Sequence, residues 1–302
     1  MTVPSTNQNQ NLPEQVGLLA GWGRFPYIIA ESLRRQGVRV VCFAVSGHAE
    51  PELAEVCDHL EWVGLCKFGL VSRRMKKLGV TEATMAGKIH KVALFQPWRW
   101  IKHLPDWTTI RKFAPHFLTK RKDCRDDSLL MAVVELFAES GVHFRPATDF
   151  APELLITEGC LTRREPTDAQ WRDIEFGWDI ARQMGRLDVG QSVVIKDQAV
   201  MAIEAVEGTD LCIKRAGQLC KAGGFTVVKT AKPQQDMRFD VPTVGTRTLR
   251  TMLEAGGSTL AIEAGRTIVL EQEDLLDFAD RHKIAIVSLV DGKRLARTHG
   301  AA

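Results

Sequence analysis

A glycine-rich turn near the start of the chain has the composition of a phosphate-binding loop. Gly21, Gly23 and Arg24 follow a short apolar run, and Pro26 opens a segment with helical spacing. Glycines let backbone N–H groups approach a phosphate, and the N-terminus of the following helix adds partial positive charge. Pro26 replaces the third glycine of a dinucleotide fingerprint, and the next strand ends without an acid to hold a ribose. The pattern predicts an anion- or nucleotide-binding turn rather than an NAD site, with a plain tight turn as the alternative.

A second cluster, in the segment 204–210, places three acids and a threonine between a predicted strand and a predicted helix. Glu207 and Asp210 offer the carboxylate oxygens that Mg²⁺ prefers. The hydroxyl of Thr209 lies beside them and is a candidate for binding substrate. The alternative is structural, with Thr209 or Asp210 capping the helix and the glutamates solvated. The sequence leaves both interpretations open.

The segment with the largest number of candidate catalytic side chains follows a predicted strand at 225–230. Lys232 and Arg238 match the negative charge of a phosphate, while Asp236 and Asp240 suit binding of Mg²⁺ or positioning of a water molecule. Two prolines and a glycine make this segment stiff, which disfavours the alternative of solvated loop charges. We therefore expect the catalytic residues here, since α/β proteins keep much of their chemistry in loops after strands.

The elements that position these segments alternate between strand-like and helix-like patterns. In the first half, apolar runs predict strands at 16–20, 38–45, 60–63, 83–86 and 142–150. Gly87 and Lys88 directly follow one of these strands and join the candidate substrate-binding residues. Alternating strands and helices imply a parallel sheet with helices on both faces.

The second half mixes hairpins with helices. Thr167 suits the N-cap of a long helix, and hairpins are predicted over 192–205 and 259–270. The fold class is therefore α/β, with a Rossmann-like parallel-sheet N-terminal domain and an α+β C-terminal domain. The predicted divisions are a disordered leader at 1–14, the N-terminal domain at 15–151, a linker at 152–166 and the catalytic domain at 167–302.

Composition narrows the possible partners and compartment. The chain has 40 basic and 37 acidic residues, which is too balanced to indicate a nucleic-acid surface. Its first residues lack a signal peptide, and no apolar run approaches the ~18–20 residues of a membrane span. The seven cysteines show no metal-ligand spacing. We expect a cytoplasmic protein, with a homodimer and peripheral contact with a membrane left open.

Motifs in both halves resemble one known family. They include Leu19-Ala20-Gly21 with Gly23 and Pro26, Met85 to Lys88, Asp126-Asp127, Leu161-Thr162 with Pro166, Gly177-Trp178, Leu187 to Gln191, Val194 to Asp197, Glu204 to Asp210 and Lys232 to Gly245. In this order they resemble the LpxI-type UDP-2,3-diacylglucosamine pyrophosphatases over nearly the whole chain. The polar leader and the aromatic, basic stretch at 95–120 depart from the resemblance.

The resemblance implies a Mg²⁺-dependent hydrolase that acts on a lipid-linked nucleotide sugar. Its products would be UMP and 2,3-diacylglucosamine 1-phosphate, in a step towards lipid A. The family's catalytic aspartate loop maps onto Asp236 and Asp240, with Asp236 favoured. The alternatives are a non-enzymatic nucleotide-binding regulatory protein and a Rossmann-type nucleotide-sugar enzyme.

Overall fold

The chain folds into two compact units. The computed structural model describes residues 12–89, 104–118, 126–238 and 241–294, without the side chains of 114–118 and 126–129. The units are Met1–Ala151 with Met237–Phe239, and Pro152–Asp236 with Asp240–Ala302. Of the predicted leader, only residues 12–14 lie within the described part. The assignment of 237–239 to the first unit has no counterpart in the sequence-based prediction.

The first unit contains a five-stranded parallel sheet with the order β3-β2-β1-β4-β5. Its strands are β1 (Gln15–Ala20), β2 (Arg39–Val45), β3 (His59–Val63), β4 (Glu82–Ala86) and β5 (His143–Phe144). Its helices are α1 (Phe25–Arg35), α2 (Phe68–Lys77), α3 (Trp107–Leu118), α4 (Asp126–Glu139) and α5 (Ala147–Phe150). Strand β2 is buried from its second residue onwards, as an inner strand of a parallel sheet should be.

The strand order reverses next to β1. From β1 the chain runs outwards through β2 to β3, and β4 then lies on the other side of β1. In open α/β sheets, ligands bind outside the carboxyl ends of the strands at such a reversal. The topology therefore marks the ends of β1 and β4 as the binding edge of the first unit.

The predicted strand at 142–150 is mostly wrong. Only His143–Phe144 pairs with β4, and the helix Ala147–Phe150 begins immediately after Pro146. Proline has no N–H to donate to a ladder, so the strand cannot continue through that position.

The second unit contains a six-stranded mixed sheet with the order β6-β13-β11-β9-β7-β8, and a separate pair, β10-β12. Its strands are β6 (Gly159–Cys160), β7 (Ser192–Lys196), β8 (Ala199–Ile203), β9 (Phe225–Lys229), β10 (Thr243–Val244), β11 (Gly257–Glu263), β12 (Ile268–Val269) and β13 (Ala285–Leu289). Its helices are α6 (Asp168–Arg186), α7 (Thr209–Leu219), α8 (Thr246–Ala255) and α9 (Gln272–Arg281). Strands β9, β11 and β13 are parallel, while β7 runs antiparallel to β9 and β8.

One of the two predicted hairpins is confirmed. Strands β7 and β8 pair through a turn in which Asp197 and Gln198 have φ of 51° and 60°, as a tight two-residue hairpin turn requires. The hairpin predicted over 259–270 is wrong, because β11 pairs in parallel with β9 and β13 while β12 pairs with β10. Short apolar runs do not reveal which partner a strand will take.

The interval 152–166, expected to be a linker, contributes structure to the second unit. It contains a 3₁₀ turn at Pro152–Leu154, and Leu155 forms a bridge with Ile268. Strand β6 then pairs antiparallel with β13.

Helix α6 shows how the second sheet is covered. The Thr167 hydroxyl accepts from the Gln170 N–H in a capping box, which confirms the predicted cap. A Cβ on Gly177 would lie 2.8 Å from the Ile195 side chain, so glycine lets the helix approach the sheet closely. Alternate strand residues pack against α6 on one face and against α7, α8 and α9 on the other. The predicted α/β class with two domains is confirmed.

Candidate active site

In the first unit, the turns that follow β1 and β4 lie against each other. The Gly21 N–H donates to the Ala86 carbonyl at 2.8 Å, and Trp22 and Lys88 exchange two backbone hydrogen bonds of 2.9 Å. Two motifs far apart in sequence therefore meet at the reversal in strand order.

The glycines of these turns serve different purposes. A Cβ on Gly21 would lie 2.7 Å from the Lys88 carbonyl oxygen, and one on Gly87 would lie 2.7 Å from the Gly21 carbonyl carbon. Gly87 also has a φ of +94°. Gly23 has a φ of +103°, yet apart from its chain neighbours no described residue has a heavy atom within 4 Å of its Cβ position. Contact between the turns thus explains Gly21 and Gly87, whereas none of the described residues packs against the Cβ position of Gly23.

Helix α1 begins at this edge. Its N-cap, Arg24, makes no side-chain capping bond, and its guanidinium lies 5.7 Å from the centre of the Tyr27 ring. An anion bound here would accept hydrogen bonds from first-turn N–H groups and meet the exposed Lys88. This geometry suits the predicted anion-binding turn, and the substrate-binding roles of Gly21, Gly23, Arg24, Gly87 and Lys88 stay predictions.

The corresponding edge of the second sheet collects charged and hydroxyl side chains. Lys229 is the last residue of β9, and Glu263 is the last residue of β11. Ser192 begins β7 directly opposite Lys229, and the Glu204 N–H donates to the Ser192 carbonyl at 2.9 Å. The mixed topology therefore brings three polar residues of β7, β9 and β11, and Glu204 directly after β8, to one edge.

Three of these residues share a hydrogen-bonded network with Thr209. The Lys229 ammonium donates to the Thr209 hydroxyl at 3.1 Å, and that hydroxyl lies 3.1 Å from both carboxylate oxygens of Glu204. The Ser192 hydroxyl is 3.3 Å from the same oxygen. Lys229 and Glu204 are only 5% and 7% exposed, so the network stabilises two opposite charges that burial alone would disfavour.

The loop after β9 is held at several points. The Lys232 ammonium lies 2.7 Å from a carboxylate oxygen of Asp188, and its backbone N–H donates to the Gln235 side chain at 2.9 Å. Gln234 donates to the Gly185 carbonyl at 2.8 Å. The stiffness expected from the sequence is therefore reinforced by side-chain contacts.

The predicted catalytic residues are distributed over both units. Lys232 and the half-buried Asp236 lie in this loop of the second unit. Arg238 belongs to the first unit, where its guanidinium lies 3.1 Å from the Met131 sulfur. Asp240 lies outside the described residues, so its role stays a prediction.

Two of the predicted metal ligands are engaged by arginines. Glu207 lies 2.5 Å from Arg215, whose guanidinium holds the pKa of Glu207 below its usual value, and Asp210 lies 2.8 Å from Arg247. Because each carboxylate is paired with an arginine, neither Glu207 nor Asp210 is well placed to bind Mg²⁺. Within the described parts of the chain, no three His, Cys, Asp or Glu side chains gather in a metal-binding group. With Asp240 outside those parts, the magnesium site stays a prediction.

Comparison with known proteins settles the family. A model of the LpxI N-terminal domain matches residues 15–154, and a model of the LpxI C-terminal domain matches residues 157–287. The chain belongs to the LpxI family. The UDP-2,3-diacylglucosamine pyrophosphatase LpxI of Caulobacter vibrioides is 30% identical over 278 residues, which cover 88% of this chain and 94% of that protein.

Similarity to solved structures adds nothing further. The biotin carboxylase domain of Hydrogenobacter thermophilus 2-oxoglutarate carboxylase aligns with a TM-score of 0.25 and 12% identity. The alignment covers 62% of this chain and 35% of that one. Such low values carry no argument about fold or function.

Sequence reasoning missed several residues at the edge of the second sheet. Thr209 was a candidate, and Glu204 was one of the three acids in the predicted 204–210 cluster. Lys229 stood at the start of the charged segment after β9 but was not chosen as a site residue, and Glu263 was not a candidate. A usable signal was present, because β9 and β11 are apolar runs that each end in a charged residue. In this family member, a charge at the carboxyl end of a buried strand marks the candidate site.

Proposed function

We propose that this chain hydrolyses the pyrophosphate bond of UDP-2,3-diacylglucosamine, releasing UMP and 2,3-diacylglucosamine 1-phosphate for lipid A biosynthesis. The observation that carries the proposal is LpxI membership across both domains, with a relative of that activity aligned over 88% of this chain. The alternatives, a regulatory nucleotide-binding protein or another nucleotide-sugar enzyme, are not favoured.

The edge of the second sheet suits hydrolysis of a pyrophosphate. In this reaction a water oxygen bonds to one phosphorus while the bridging oxygen leaves with the other. The protein has to bind the charged oxygens and position the water. Lys229 and Lys232 supply positive charge near the loop that carries Asp236, and we assign Asp236 the positioning of the water or a metal ion.

The turn of the first unit suits recognition of an anionic or nucleotide part of the substrate. In the described part of the chain, nothing fills the space beside Gly23 and the backbone N–H groups that follow it, and Arg24 and Lys88 are exposed cations. Backbone donors at a helix N-terminus bind phosphate without any requirement for a particular side chain.

We further propose that hydrolysis depends on Mg²⁺ held by Asp236 and Asp240. The metal would neutralise charge on the pyrophosphate oxygens. Glu207 and Asp210 are less suitable, because each is paired with an arginine.

Membrane contact and dimerisation belong to the same proposal. No helix in the described ranges could cross a bilayer. The proposed substrate carries two acyl chains, so we propose peripheral contact with the cytoplasmic face of the inner membrane. Sedimentation with vesicles that contain the substrate would test this, and analytical ultracentrifugation would test a homodimer.

The decisive experiment uses the purified full-length chain. We expect UMP release from UDP-2,3-diacylglucosamine with Mg²⁺, and loss of that release after chelation. UDP-glucose, which lacks the acyl chains, is the matched control and should be a poor substrate. Absence of UMP above a protein-free control, with several divalent metals, would contradict the proposed function.

A further inference from the structure

Glu263 is a buried carboxylate at the same edge of the second sheet as Lys229. It ends β11 and is only 3% exposed. One of its oxygens accepts from the Ala231 N–H at 2.8 Å, and the other accepts from the Arg182 guanidinium at 3.0 Å. It therefore joins helix α6, strand β11 and the start of the loop after β9.

A second arginine extends this connection along the loop. One guanidinium nitrogen of Arg266 lies 3.7 Å from Glu263, and another lies 3.5 Å from the Lys232 carbonyl oxygen. Both Ala231 and Lys232 are thus held, directly or through Arg266, by one carboxylate. These two residues immediately precede the turn that leads to Asp236.

We propose that Glu263 is a positioning residue for the hydrolysis: it fixes the start of the loop that presents Lys232 and Asp236. The proposal rests on the proposed function, in which this loop is catalytic. Glu263 acts through the backbone and through the arginines, without contacting substrate. Small displacements of reacting groups are costly, so an anchor at the base of the loop sets the rate more than the affinity.

The contacts of Glu263 make its replacement by glutamine informative. A carboxylate accepts hydrogen bonds at both oxygens, whereas an amide has one acceptor and one donor. The Ala231 N–H and the Arg182 guanidinium are both donors. In Glu263→Gln, the amide N–H₂ therefore faces a donor whichever way the side chain turns, and one contact is lost.

Asp173 offers a matched control in the same unit. It is 2% exposed, and its two oxygens accept from the Asp197 N–H at 3.2 Å and the Gln198 N–H at 2.7 Å. It holds the β7–β8 turn, which lies at the opposite edge of the sheet from Lys229. Asp173→Asn loses one contact of a buried carboxylate in the same way, far from the loop after β9.

The test compares Glu263→Gln, Glu263→Ala and Asp173→Asn with the wild-type full-length chain. UMP release gives kcat and KM, thermal unfolding gives Tm, and hydrogen exchange by mass spectrometry reports protection of 230–236 and 196–199. We expect kcat to fall about 10-fold or more in both Glu263 variants, since ~1 Å of misplacement can cost ~100-fold. We expect KM to change little and protection of 230–236 to fall. Asp173→Asn should have a lower Tm and weaker exchange protection of the β7–β8 turn, while its kcat stays close to wild type.

Three results would overturn the proposal. In the first, both Glu263 variants keep a kcat close to wild type although their Tm falls as much as that of Asp173→Asn. The second is a loss of kcat in all variants in proportion to Tm, which would show general destabilisation. The third is unchanged exchange of 230–236. If Glu263→Ala does not fold, Glu263→Gln and Arg182→Lys carry the comparison. An inactive wild type would instead contradict the proposed function, while exchange would still test the anchor.

Discussion

The two sheets of this LpxI family member present different edges at the carboxyl ends of their parallel strands. The edge of the first unit is built from backbone, with Gly21 and Gly87 in contact and, among the described residues, nothing packed against the Cβ position of Gly23. The edge of the second unit is built from buried charges, with Lys229 and Glu263 at the ends of adjacent strands. The edge of the first unit can form because its glycines have no side chains, whereas the edge of the second unit is held together by charged side chains.

The two edges therefore place different requirements on the residues that form them. Backbone donors bind an anion through shape, so substitutions there act through steric contact and strain. Buried charges act through electrostatics at low local dielectric, so substitutions there act through charge and hydrogen bonding. The first kind suits recognition, and the second suits stabilisation of charge during reaction.

We expect the largest effect, a loss of folding stability, from a substitution at the edge of the first unit. Gly87→Ala places a Cβ at positive φ and against Gly21, which we expect to cost about 2–5 kcal/mol of folding free energy. Gly141→Ala is the control, because its φ is +84° but no described atom lies within 4 Å, and it should cost about 1–2 kcal/mol. Denaturant unfolding measures both. Equal losses would show that close contact between the turns is unimportant.

The next effect concerns chemistry at the charged edge. Asp236→Ala should lower turnover at least ~100-fold, about 2.7 kcal/mol of transition-state stabilisation, while shifting folding stability by only about ±0.5 kcal/mol. Substrate should still bind, as calorimetry would show. Asp240→Ala, made in parallel, decides which aspartate is essential, and the exposed Asp179→Ala is the control. Turnover within a few-fold of wild type for both loop variants would exclude this loop from catalysis.

A smaller effect tests the buried network. Lys229→Met leaves Thr209 and Glu204 without their cation, which should cost about 1–3 kcal/mol of folding free energy and lower turnover. Lys196→Met, at the other end of the neighbouring strand β7, should stay within about ±0.5 kcal/mol. Unfolding curves and initial rates measure these differences. Indistinguishable variants would mean that charge at this edge is dispensable.

The smallest expected effect tests whether Gly23 contributes to substrate binding. Gly23→Ala and Gly37→Ala both place a Cβ at positive φ in open space, so each should cost about 1–2 kcal/mol of folding free energy. Only Gly23→Ala should raise KM for the substrate. If KM is unchanged, or rises equally in both, Gly23 merely turns the chain.

The sequence by itself determined the class of fold and the location of much of the candidate site. Strand-like and helix-like periodicity follows from local geometry, so the parallel first sheet, the β7–β8 hairpin and the capped start of α6 were all predictable. The glycine turns and the loop after β9 were predictable for the same reason. They combine local backbone requirements with residue types that carry chemistry.

Only the tertiary structure decided which segments meet. The hairpin expected over 259–270 is wrong because strand partners are chosen by packing across the whole sheet, which apolar runs do not encode. Glu263 was missed, and Lys229 was not chosen as a site residue, because a charge looks solvated in sequence until the strands on either side bury it. Glu207 and Asp210 resembled metal ligands until the fold placed Arg215 and Arg247 beside them. Pairing and burial depend on residues distant in sequence, and therefore on the folded chain.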